Sequence, residues 1–60
     1  MGHFHWRVTV TFDSGLVHES EWHAERHEAE RLVCEEARIM HEREHGNRGS
    51  IKQIDCKALD

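Results

Sequence analysis

The sequence predicts an α+β domain of ββαβ order: a three-stranded antiparallel sheet, strands in the order 2-1-3, with one helix packed on its apolar face. Three observations carry this expectation. Residues 3–12 alternate apolar and polar without a break, residues 27–45 repeat their apolar positions at intervals of three and four, and residues 50–58 return to alternation. The chain has 60 residues, enough for one domain with one small core.

The first strand is expected over 3–12. Phe4, Trp6, Val8, Val10 and Phe12 point to one side, and His3, His5, Arg7, Thr9 and Thr11 to the other. Period two with β-branched and aromatic residues is the pattern of a half-buried strand. Asp13-Ser14-Gly15 suits a three-residue hairpin loop closed by glycine in the left-handed region. That loop length sets the register of the second strand, 16–24. Phe12 then faces Leu16, Val10 faces His18, Val8 faces Ser20, Trp6 faces Trp22 and Phe4 faces Ala24. The two tryptophans become cross-strand partners on the core face, and Arg7 meets Glu21 on the other. A two-residue loop would set Trp6 against His23 instead, which matches the pattern less well.

The helix is expected over 27–45, with Ala29, Leu32, Val33, Ala37 and Met40 inward and Cys34 and Ile39 flanking. Gly46 supplies a C-terminal stop, and Gly46-Asn47-Arg48-Gly49 a turn. A competing helix over 21–45, capped by Ser20, would span about 38 Å, roughly twice the length of a typical strand. A second strand matching the first fits better. The third strand, 50–58, turns Ile54, Cys56 and Ala58 inward, with Ile51 where it begins. The first strand is the most apolar and takes the centre.

Composition narrows the function classes. The formal charge is −4 with seven histidines neutral, so protonating them all would reverse its sign and bring a solubility minimum in mildly acidic solution. An acidic balance argues against a nucleic-acid binder, which usually shows a basic face. The two cysteines, Cys34 and Cys56, form no CxxC pair and read as small core residues of a reducing cytoplasm. The N-terminal residues lack the pattern of a signal peptide, and no run approaches the roughly 20 apolar residues of a membrane span. An enclosed substrate pocket would compete with the core for the same few apolar residues, which favours a non-enzymatic protein.

Two histidine groups invite a metal reading. His41-Glu42-Arg43-Glu44-His45 has the form HExxH on a helix, where histidines at i and i+4 hold zinc and the glutamate activates its water. It resembles the zinc-metallopeptidase signature over these five residues only. That family wants an apolar residue at Arg43 and an uncharged one at Glu44, so the match reads as chance and His41 and His45 as a solvated last turn complementing the helix dipole. The hairpin register places His5 opposite His23, with His3 two residues along. This resembles, in local geometry, the strand histidines of the carbonic anhydrase zinc site. The expectation is no resident cofactor, with opportunistic Zn²⁺ or Ni²⁺ on His3, His5 and His23 or on His41 and His45. Ser14 and Ser20 lack any sequence context for activation as nucleophiles.

The segment Arg7-Val8-Thr9-Val10-Thr11-Phe12-Asp13-Ser14-Gly15, followed by Trp22-His23-Ala24-Glu25-Arg26-His27-Glu28-Ala29-Glu30, resembles a diffuse class of short phage and mobile-element reading frames with a hairpin, a helix and a last short strand. The resemblance implies stoichiometric binding of a host or phage protein and assigns no functional residue. The residues themselves point the same way. The expectation is a protein-interaction module whose surface includes Arg7, Thr9, Thr11, Glu19 and Glu21. It would form a homodimer through a sheet edge or the helix, since small domains often need such help. Metal binding and nucleic-acid binding through Arg7, Thr9 and Thr11 are the alternatives.

Overall fold

Four elements follow one another in the computed structural model, which describes residues 4–60: β1 (His5–Phe12), β2 (Val17–His23), α1 (Arg26–His45) and β3 (Ile51–Ala58). β1 lies between β2 and β3 and is antiparallel to both. The α+β class, the ββαβ order and the sheet order 2-1-3 are those the sequence predicts. Each boundary falls within a residue or two of its expected place, and His3, the expected start of the first strand, lies outside the described residues.

The hairpin register also follows the loop length. Trp6 pairs with Trp22, Arg7 with Glu21 and Val10 with His18. Phe12 N–H donates to Leu16 O at 2.9 Å, Gly15 N–H donates to Phe12 O at 2.9 Å, and Gly15 takes φ +96. An L side chain rarely adopts that angle, so glycine is required at the turn. Ala24 N–H still donates to Phe4 O at 2.8 Å. Ser20 is therefore mid-strand opposite Val8, and the helix starts at Arg26, with Glu25 at the N-cap making no side-chain capping bond.

The core is the even-numbered face of β1 against one stripe of α1. Trp6, Val8, Val10 and Phe12 are buried, as are Ala29, Val33, Cys34 and Ala37. Complete burial of Val8, Val10, Phe12 and Val33 contributes about 1.5–3 kcal/mol each. Ala29, Val33 and Ala37 recur every four residues along the stripe of α1 that is buried against the sheet. Arg26 covers the outer end of this core, its guanidinium carbon 5.8 Å from the centre of the Trp6 ring.

Several expected core positions are corrected. Phe4 is 55% exposed because it precedes the strand, and Met40 is 39% exposed because the buried stripe runs through residue 41 instead of 40. Ile54 is 40% exposed, because α1 lies over β1 and β2 and touches β3 little. Both cysteines are free thiols, Cys34 buried and Cys56 half-buried, and burial raises the pKa of each. No helix among the described residues is long and apolar enough to cross a membrane.

Candidate functional site

The face of the sheet opposite the helix carries all five residues expected to form a binding surface. His5, Arg7, Thr9 and Thr11 alternate outward along β1, and the register sets them beside His23, Glu21, Glu19 and Val17 of β2. Lys57, Asp55 and Gln53 of β3 flank Arg7, Thr9 and Thr11 on the other side. Arg7 Nη2 donates to Glu21 Oε2 at 3.2 Å, and Arg7 Nε lies 3.8 Å from Glu19 Oε1. Thr9 Oγ1 donates to Glu19 Oε2 at 3.0 Å, while His5 Nε2 is 3.2 Å from Glu21 Oε1. The hydrogen bond from Arg7 holds the Glu21 carboxyl below its ordinary pKa. Arg7 is thus framed by two carboxylates, all set by strand register.

The two histidine groups have different fates. His5 and His23 stack face to face, ring centres 4.1 Å apart and planes 17° apart, as the register requires. Their expected companion, His3, lies outside the described residues. Among the described residues there is no cluster of three or more histidines, cysteines or carboxylates able to hold a metal ion.

His41 overturns the expectation of a solvated last turn: it is 2% exposed. Its ring packs against Phe12 at 4.5 Å and against His45 at 4.4 Å. Nδ1 is 2.8 Å from Asn47 O, and Nε2 is 2.7 Å from Ser14 Oγ. A backbone carbonyl only accepts, so Nδ1 carries a proton and donates to it, and in the neutral ring Nε2 then accepts from the Ser14 hydroxyl. Both ring nitrogens are therefore committed within the chain, and the HExxH histidine could reach a metal only by breaking these bonds. Gly49, at φ +67, lies flat against the ring, and a Cβ there would fall 2.6 Å from His41 Cε1.

A serine hydroxyl bonded to an imidazole whose far nitrogen is held by a carbonyl is the pattern that activates a nucleophile. Here the following amide, Gly15 N–H, is taken by Phe12 O and offers no donor to a developing oxyanion. What the cluster visibly does is join the hairpin turn, the end of α1 and the segment leading into β3. Sequence reasoning missed it although a signal was present. Ala29, Val33, Ala37 and His41 fall at four-residue intervals on the stripe that faces the sheet.

The geometry defines a class: a helix on one side of a three-stranded antiparallel sheet, with the opposite, charged face open. Comparison with known protein families, with curated proteins and with solved structures finds no match.

Proposed function

We propose that the protein is a small, non-enzymatic, cytoplasmic interaction module that binds another protein through the outer face of its sheet. The observation that carries this reading is the charge pattern held on that face, Arg7 between Glu19 and Glu21 with Thr9 bonded into it. Side chains already tied to one another across rigid strands lose little freedom on binding, and alternating charges select a partner by complementarity. The same pattern weighs against a nucleic-acid partner, because the two carboxylates beside Arg7 would repel phosphates. Stoichiometric binding of this kind is also what the resemblance to short phage and mobile-element proteins implies.

The test is affinity capture with the immobilised full chain and with its Arg7→Glu variant. One protein retained by the wild type at fixed stoichiometry and lost with Arg7→Glu supports the reading. Retention that ignores changes at Arg7, Thr9 and Glu21 would overturn it. So would stoichiometric zinc in the purified protein, or salt-sensitive binding to generic DNA or RNA.

A further inference from the structure

The third strand is an edge whose outward backbone groups find no strand partner among the described residues. Odd-numbered residues of β1 turn their backbone groups toward β3, as Leu59 N–H donating to His5 O at 2.8 Å establishes. The register pairs them with the odd residues Lys57, Asp55 and Gln53. The backbone N–H and C=O groups of Ile54, Cys56 and Ala58 therefore point away from the sheet. The side chains of those three residues face the helix side, where Cys56 and Ala58 pack partly against the core and Ile54 stays 40% exposed.

Charge adds a direction. Asp55 and Lys57 stand two residues apart on the outer face, and among the described residues neither has an ion-pair partner. Asp55 accepts only a hydrogen bond from Gln53 at 3.1 Å, and the neighbour of Lys57 across the sheet is another cation, Arg7. Opposite charges at i and i+2 on an edge strand are self-complementary about a two-fold axis through the residue between them.

We infer that β3 pairs antiparallel with β3 of a second copy about an axis at Cys56, extending the sheet to six strands. This edge adjoins the outer-face site proposed above and uses none of its residues Arg7, Thr9, Thr11, Glu19 and Glu21. In this register Asp55 faces Lys57 of the other copy twice, Ile54 faces Ala58, and Cys56 faces itself. The three outward-facing backbone positions form hydrogen-bonded pairs. The neighbouring registers match charge less well. An axis at Asp55 or at Lys57 sets like charges together, and an axis at Ile54 leaves Lys57 opposite Ile51. The opposite edge has no carboxylate two residues from a lysine or arginine. Its outward backbone belongs to Val17, Glu19, Glu21 and His23, and an axis at Ser20 would press Glu19 against Glu21 twice. On β3 the one irregularity is a bulge at Lys52, where Gln53 pairs with Thr11 but Ile51 with Phe12, and it leaves 53–58 regular.

Sedimentation equilibrium of the full chain over a concentration series tests this. The expected species has twice the 7.1 kDa chain mass. Asp55→Lys alone and Lys57→Asp alone should each weaken the dimer roughly tenfold or more, by setting like charges together at both symmetric positions. The double variant, D55K with K57D, should restore it. Both side chains are exposed, and circular dichroism confirms that each variant folds. The register has a second readout, because residues facing each other in a hydrogen-bonded antiparallel pair have Cα atoms about 5.5 Å apart, within disulfide reach. Copper phenanthroline, accepting the two thiol electrons while the protons go to solvent, should join two chains in the wild type and not in Cys56→Ser. A chain that stays monomeric, a dimer indifferent to the charge reversals, or one broken instead by Ile39→Lys on the helix would overturn the proposal.

Discussion

The described residues include two stacked histidine pairs that look alike and differ in almost everything else. His5 and His23 are joined by strand register, 4.1 Å apart, on the outer face of the sheet. His41 and His45 are joined by one helical turn, 4.4 Å apart, beside the core. The outer rings keep water on one side, and Glu21 is the partner of His5. The ring of His41 is withdrawn from water, so its two nitrogens depend on Asn47 O and Ser14 Oγ for every hydrogen bond they make. A histidine contributes to stability when burial makes its bonds irreplaceable, and little when water can substitute.

The largest expected effect breaks the inner pair. His41→Ala opens a void beside Phe12 and strands Ser14 and Asn47, and should cost about 2–4 kcal/mol. In a domain this small each kcal/mol lowers Tm by about 4–8 °C, so thermal unfolding followed by circular dichroism gives a clear reading. Gly49→Ala comes next, at about 1–3 kcal/mol, because it combines a left-handed backbone with a collision against the imidazole. A melting temperature unchanged by this variant would show that His41 does not occupy the described position. Ser14→Ala should cost about 0.5–1.5 kcal/mol, since the exposed hairpin tip lets water reach part of the vacated site.

The outer pair should answer weakly. His5→Ala and His23→Ala are each expected to change stability by less than about 0.5 kcal/mol in the same melts. Its carboxylate partner offers the finer test. The Glu21 pKa is depressed below its ordinary 4.5, so its contribution is present above that value and is lost as pH falls through the folded-state pKa. Glu21→Gln should flatten the acid limb of the stability profile and leave the neutral region little changed. A steeper acid limb in Glu21→Gln would reverse the assignment.

Much of the fold was legible along the chain, and the reason is local. Alternation from residue 4 to residue 12 admits one way of burying a face, and a three-residue loop leaves one register, so Trp6 opposite Trp22 and His5 opposite His23 followed by counting. The outer face was legible for the same reason, with Arg7, Thr9, Glu19 and Glu21 brought together by period two. The helix was harder. Met40 and His41 are adjacent, hydrophobicity favours the former, and the phase of the helix buries the latter. The slack covering of β3 was also hidden, because Ile54 has an inward position whether or not a helix lies above it.

By itself, then, the sequence determined the elements, their order, the hairpin register and which residues share a face, since each depends on neighbours a few positions apart. Only the tertiary structure decided that His41 closes the core with Ser14 and Asn47, and that α1 leaves Ile54 of β3 partly uncovered. Both depend on where one helix comes to rest across the sheet. That placement is the sum of many weak apolar contacts between distant segments, and no short stretch of sequence encodes it.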